Sequence, residues 1–356
     1  MIYYFVGLFL MFSYMYSETK LPRLATKDTL LKIEIVLLIF FAGLRSVNVG
    51  TDTLVYCRVF ESVANGGCFE EGERFEIGYK IFIRIVALIT NNPHVFIFVT
   101  STVIYVGIWY FIKNNSEIPL LSLLLFYLIF FCNSLNISRQ YMGIAFAINS
   151  LTYIKQKRYI RAIFLIVLGT TIHTVSLIFL IVFVISFFKK SNKGIIMLIL
   201  SVAIALVFSG SIIKIIIKVF PSYSFYFTHA LFENDGNIGK LTILMLFLTL
   251  WAIIKNGNKH LIYSRTETVA DEINVNILVI EMMIIACSIG VLASKFVMLD
   301  RISEMLNIFC ILLIPNITKG RNRFLYETII VLIFTYYMYV VINFGGIGVA
   351  PYSILV

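Results

Sequence analysis

Apolar and polar positions alternate along this chain on a long period. Stretches of about 15 to 25 mostly apolar residues recur, separated by short polar breaks, and each comes near the roughly 20 residues that carry a helix across a bilayer. The pattern predicts segments at 2–17, 31–44, 94–112, 118–133, 138–154, 160–172, 174–188, 194–213, 239–255, 274–293, 298–315 and 324–343. Within lipid every backbone amide and carbonyl must be paired inside the structure, which excludes open sheet, and the runs lack the two-residue alternation of a barrel strand. The expected fold class is therefore all-α: a polytopic integral membrane protein of about 10–12 transmembrane or re-entrant helices, with 1–356 as a single membrane domain. Ile2 to Tyr16 has no basic n-region and no Ala-x-Ala-like end, so it is read as a first span and not a cleaved signal.

Composition agrees: 60% of the 356 residues are hydrophobic and 13% charged, more apolar surface than a soluble domain can hide. Basic residues cluster at Lys20, Arg23, Lys27 and Lys32, at Lys155, Lys157, Arg158 and Arg161, at Lys189, Lys190 and Lys193, at Lys255, Lys259 and Arg265, and at Lys319, Arg321 and Arg323. One threading puts all five clusters, with Lys113, on the cytoplasmic side and both termini outside. The net charge of +10 then reflects topology, and no nucleic acid is implied.

Two regions stand apart from simple spans. Ala162 to Phe188 has basic clusters at both ends, so a single crossing would expose one of them. A helical hairpin over 160–188 keeps both inside, with Gly169-Thr170-Thr171-Ile172-His173-Thr174 at an outward turn; the competing arrangement is one tilted helix with a packed histidine. The other region is the extracytoplasmic loop 45–93, where Thr53 to Val63 and Ile77 to Ile89 mix charges with Phe, Ile and Tyr at helical spacing, as interfacial helices do.

Candidate chemistry collects on the outer side. Arg45, Arg58, Arg74, Arg84, Arg139 and Arg301 fall there, and a guanidinium presents a fixed fork of donors that stays charged and grips phosphate oxygens two at a time. Interfacial arginines also bind ordinary lipid phosphate or pair with acids such as Asp300 and Glu304. Arg139 stands out because Asn136, Ser138 and Gln140 surround it where positive charge is least expected, and Arg45 because Asp52 is close in sequence. Glu281 lies inside a predicted span and needs a polar neighbour or a cavity; Glu304, one turn from Arg301, suits an ion pair. The acid-rich tip Glu70-Glu71-Gly72-Glu73 could hold a divalent cation, but solvation explains it as well, and no zinc spacing or phosphate loop occurs, so neither metal nor cofactor is expected. Cys57 and Cys68 share the outer loop and could pair there; Cys132, Cys287 and Cys310 read as packing residues.

Taken in order, the motifs resemble the EpsG-like and Wzy-type polymerases of bacterial surface polysaccharides, over most of the chain. Arg45 with Gly50-Thr51-Asp52 and Tyr56 is similar to that family's first-loop signature, Glu76-Ile77-Gly78-Tyr79 to its second, and Ile137-Ser138-Arg139-Gln140 to its most recognisable short motif. His173-Thr174-Val175-Ser176 resembles its His-Thr/x-Ser-like segment, and Arg301 with Pro315 a later Arg-to-Pro helix. Met142-Gly143 departs from the family, where small or aliphatic residues are more usual, which leaves the local packing open.

The resemblance implies a metal-independent glycosyltransferase of the bacterial cytoplasmic (inner) membrane. Such an enzyme passes a growing glycan from one undecaprenyl diphosphate to a sugar hydroxyl of another lipid-linked repeat, with the site facing the periplasm or cell exterior. The product would be O-antigen, capsule or exopolysaccharide, and the implied partners are undecaprenyl-diphosphate-linked glycans, membrane lipids, a chain-length regulator and a flippase. On this reading Arg139, Arg45 and Arg301 bind the diphosphate, Asp52, Glu76 and His173 are the available bases, and Asn136, Ser138, Gln140 and Tyr79 support them. A lipid-linked glycan flippase, and another polyprenyl-phosphate-dependent glycosyltransferase or ligase, are the alternatives; against a flippase stand the missing internal repeats and the large outer loop.

Overall fold

The computed structural model describes residues 1–19, 25–70, 72–187, 194–208, 214, 218, 238–263, 275–294, 298–318 and 322–354. Several members of the basic clusters (Lys20, Arg23, Lys189, Lys190, Lys193, Arg265, Lys319, Arg321), together with Glu71, lie outside the described residues. The molecule is all-helical and divides into two compact units, 1–183 with 318–356, and 184–317.

The first unit begins with α1 (Ile2–Glu18), α2 (Lys27–Gly43), α3 (Thr53–Ala64), α4 (Ile77–Ala87), α5 (Pro93–Asn115) and α6 (Pro119–Asn136). It continues with α7 (Ser138–Ala147), α8 (Ser150–Lys155) and α9 (Tyr159–Ile172), a 3₁₀ turn (Thr174–Phe179), the start of α10 (Leu180–Ser186), and α16 (Arg323–Phe344). Local chemistry sets several starts. The Thr26 hydroxyl accepts from the Thr29 amide at the head of α2, Asn92 caps α5 ahead of Pro93, and Pro119 stands in the first turn of α6, where its missing N–H costs nothing. Lys157, in the left-handed region at φ 56°, closes the turn between α8 and α9.

Helix α6 is the centre of this unit and is buried along nearly its whole length. Helix α16 lies at the periphery. Glu327, Ile330, Val331, Phe334 and Met338 face inward at helical spacing, while Leu332, Ile333, Tyr336 and Tyr339 are exposed on the other side. A helix apolar on both faces belongs in lipid. Among the described residues, Pro93–Asn115, Pro119–Asn136, Asn276–Ala293 and Arg323–Phe344 are long and apolar enough to cross a membrane alone. A pair bent by 44° (Leu299–Asn307 with Cys310–Thr318) makes a fifth candidate. The stretch 138–154 is two helices, α7 and α8, joined near Ile148 and Asn149. After α9 the chain doubles back at His173, bringing the Tyr159 and Phe183 rings to 5.8 Å, edge to face.

The two ends of the unit are tied differently. At one, buried Glu327 accepts from Arg323 Nε at 2.8 Å, Thr318 Oγ1 at 3.1 Å and the Tyr14 hydroxyl, and Arg323 also pairs with Glu18 at 3.1 Å. At the other, the segment after α16 folds over the start of the first loop. Gly50 donates to the Gly348 carbonyl at 2.8 Å, Thr51 to Ile347 at 3.1 Å and Ser46 to Ser353 at 2.8 Å, and Arg45 makes a lone antiparallel bridge with Ile354. Gly50, Gly346 and Gly348 all have positive φ, which permits this close doubling of backbone. Tyr3, Phe41, Phe131 and Tyr352 close around it as an aromatic cluster.

The second unit comprises α11 (Gly194–Val207), α12 (Lys240–Tyr263), α13 (Val275–Ala293), α14 (Met298–Asn307) and α15 (Cys310–Thr318, bar its last residue). Helix α13 meets its neighbours through small and polar side chains. Ser288 donates to Ser201 at 2.8 Å, Cys287 lies 3.6 Å from the Thr249 hydroxyl, and Ser303 reaches the Ala286 carbonyl at 2.9 Å. A β-carbon on Gly290 would sit 2.6 Å from Thr242 Oγ1. Close approach through small residues is how helices associate where lipid removes the hydrophobic driving force.

Candidate functional site

The site forms where α6 stops. Ile137 leaves the helical region at φ −90°, ψ 52°, and this break separates α6 from α7. The last residues of α6 are pinned to the first loop. Asn136 Oδ1 accepts the Asp52 amide at 2.8 Å and the Thr51 hydroxyl at 3.1 Å, and the Leu135 carbonyl accepts from Thr53 Oγ1 at 3.1 Å and Arg45 Nη2 at 3.0 Å. With α6 fixed in this way, the first turn of α7 delivers Arg139.

Arg139 forms an ion pair with Glu76 Oε2, from the cap of α4. Its guanidinium carbon lies 4.8 Å from the centre of the Phe75 ring and 5.9 Å from that of Tyr79, a cation–π arrangement that fixes the plane of the fork. Its Nε is buried and makes no hydrogen bond. The other carboxylate oxygen of Glu76 accepts from the Thr174 amide at 2.9 Å and the Thr174 hydroxyl at 3.0 Å, and His173 Nδ1 lies 3.5 Å from it. Burial alone would push the Glu76 carboxyl up. The adjacent His173 imidazole, the Arg139 charge and the Thr174 amide outweigh it and hold the group at about 2.

Three distant segments thus meet at one carboxylate. Glycines permit the approach: a β-carbon on Gly143 would lie 3.1 Å from both the Gly169 carbonyl and His173 Cβ, and one on Gly169 would lie 2.6 Å from the Gly143 carbonyl and 3.0 Å from Ala147 Cβ. Gly143 belongs to the Met142-Gly143 pair at which the sequence departs from the resembled pattern, and it lets α7 and α9 touch. Gly78 does the same for α4, since a β-carbon there would sit 2.7 Å from the Thr171 carbonyl.

The other residues singled out in the sequence are placed as follows. Ser138 and Gln140 are buried beside Arg139 in α7, and Tyr79 is wholly buried beneath it. Asp52 is half-buried at the head of α3, held through its backbone by Asn136. Arg45 does not open onto the site. It is 2% exposed, and its guanidinium donates to the Ala42 and Leu135 carbonyls and to Ser101 Oγ at 3.2 Å. That arrangement joins the ends of α2 and α6 to α5. Arg301 is exposed on α14, which belongs to the second unit. Cys57 is buried, Cys68 exposed, and both are free thiols.

Two participants escaped the sequence reading: Thr174 as an anchor for Glu76, and Phe75 as a face for Arg139. Thr174 adjoins His173, and Phe75 precedes the Glu76 motif. Helical or extended periodicity gives such neighbours no weight, because their role depends on contacts far away in the chain, Thr174 with Glu76 and Phe75 with Arg139.

The fold and site define a class: a multi-helix membrane protein with an arginine–carboxylate–histidine cluster where helices end near the first long loop. The EpsG family model matches residues 28–354, and the chain belongs to the EpsG family; it is a polysaccharide-polymerase-like membrane protein. No curated protein matches the chain, and no solved structure does.

Proposed function

We propose that this chain joins undecaprenyl-diphosphate-linked oligosaccharide repeat units into a surface polysaccharide by glycosyl transfer at the extracytoplasmic face of a bacterial cytoplasmic membrane. The observation that carries the proposal is the meeting of Arg139 and His173 on the Glu76 carboxylate. An acceptor hydroxyl attacks the anomeric carbon of the donor glycan as the bond from that carbon to the diphosphate oxygen breaks. The leaving diphosphate keeps the electron pair. Negative charge grows on it, so a fixed guanidinium that binds it more tightly in the transition state accelerates the step; Arg139 has that role.

The hydroxyl proton goes to His173. Its Nδ1 faces Glu76, which leaves Nε2 as the ring nitrogen to accept that proton. Glu76, held at about 2, is too weak a base for that task and acts as the positioning residue for both Arg139 and His173. Asp52 stays a second candidate for the base. No metal enters the step.

The test is to delete the gene, restore wild type or Arg139→Ala at matched abundance, and resolve the lipid-linked or surface glycan by length. A ladder with wild type and single repeat units with the deletion and the variant support the proposal. An unchanged ladder in the deletion would sink it and turn attention to a ligase or transporter.

A further inference from the structure

Beside the Arg139 cluster, between α4 and the α9 turn, lies a cleft of about 330 Å³ lined by Glu76, Ile77, Val167, Thr170, Thr171 and Leu177. We infer that this cleft holds the head-proximal hydrocarbon of a prenyl diphosphate whose anionic head rests at Arg139. The inference rests on the function proposed above and names the place of the lipid within it.

The walls are more apolar than their residue names imply. Thr170 Oγ1 donates to the Ile166 carbonyl at 2.8 Å and Thr171 Oγ1 to the Leu168 carbonyl at 2.7 Å, so both hydroxyls are spent on their own helix. Ile77, Val167 and Leu177 are 61%, 51% and 37% exposed, an unpartnered aliphatic surface. Both Glu76 oxygens are engaged, one by Arg139 and the other by Thr174. Among its lining side chains the cleft carries charge only at Glu76, which is itself ion-paired with the Arg139 guanidinium.

That adjacency of an apolar cleft and an arginine selects the occupant. In a prenyl diphosphate the phosphate is bonded directly to the first carbon of the chain, so anion and hydrocarbon are adjacent. A phospholipid interposes a glycerol segment with ester carbonyls, and burying those without donors is unfavourable. The volume lies at the small end of ligand cavities, enough for the first part of a long chain, with the remainder left in the bilayer.

The experiment is photolabelling of the full-length protein in lipid nanodiscs with a diazirine-bearing prenyl diphosphate, followed by peptide mapping. Label is expected on the segments holding Ile77 and Val167 to Leu177, reduced about tenfold by excess unlabelled prenyl diphosphate, unaffected by phosphatidylglycerol, and reduced similarly by Val167→Trp. Label spread evenly over lipid-facing helices, or competed equally by phosphatidylglycerol, overturns the inference; the competition arm needs only wild-type protein. A ladder-forming protein labelled elsewhere defeats the cleft alone. A cleft-labelled protein that forms no ladder defeats the polymerase reading and leaves the cleft standing.

Discussion

Glu76 is the residue on which the site turns, and its protonation has a measurable consequence. Its carboxyl is held at about 2 against an ordinary 4.5, so its contribution to stability is complete above about pH 5 and disappears as pH falls through 2. The difference corresponds to roughly 3 kcal/mol. Thermal unfolding in detergent should show a wild-type midpoint that drops between pH 5 and 3, and a Glu76→Gln protein that starts lower and drops less; parallel curves would refute the assignment. Arg139→Lys keeps the charge but loses the fork and the stacking on Phe75 and Tyr79, and we expect polymerisation to fall by about a hundredfold or more. Arg45 makes the opposite forecast. Arg45→Met strips charged hydrogen bonds from buried carbonyls, at about 1.5–3 kcal/mol each, so abundance and melting temperature should fall while the surviving protein keeps its KM. A raised KM with normal abundance would return Arg45 to the ligand site. Arg139, Glu76 and His173 were each legible in the sequence, because a charged or titratable group beside an apolar run is conspicuous. That Arg139 and His173 both lie against the Glu76 carboxylate was not, since nothing in local spacing joins α4 to α7 and α9.

At the scale of elements, apolar runs located the helices well where each helix is straight. They failed where a helix breaks within an apolar run, as at Ile148 between α7 and α8, because hydropathy does not register a turn that neighbouring helices bury. The Gly143–Ala147 face of α7 against Gly169 of α9 shows the compensation: small residues give up side-chain contact to let two backbones meet. Gly169→Val should force them apart, cost about 1–3 kcal/mol by overpacking, and displace His173 from Glu76. The expected outcome is a larger loss of kcat than of melting temperature would predict, and Gly169→Ala should lie between. If both variants lose activity only in proportion to folded protein, the contact is structural alone.

For the molecule as a whole, the proposed function requires one orientation, the one that the basic clusters favour: the Glu18–Lys27–Arg323 end in the cytoplasm and the Arg139 end outside. The chain carries its own reporter, because Cys68 at the loop tip is the exposed cysteine while Cys57, Cys132, Cys287 and Cys310 are buried. A membrane-impermeant maleimide applied to intact cells, with any outer wall or membrane made permeable to it, should label Cys68 and not Cys68→Ser. Labelling only after lysis would invert the topology.

The segment that follows α16 carries a temporal implication. Residues 347–353 clamp Ser46, Gly50 and Thr51, and these neighbour Asp52 and Asn136 at the foot of the site. Translation makes that clamp more than 290 residues after the loop it closes. The helices can insert one by one, but the foot of the Arg139 site is locked only when synthesis has passed α16, so a ribosome stalled in that helix would hold an inserted protein whose site is still unfastened.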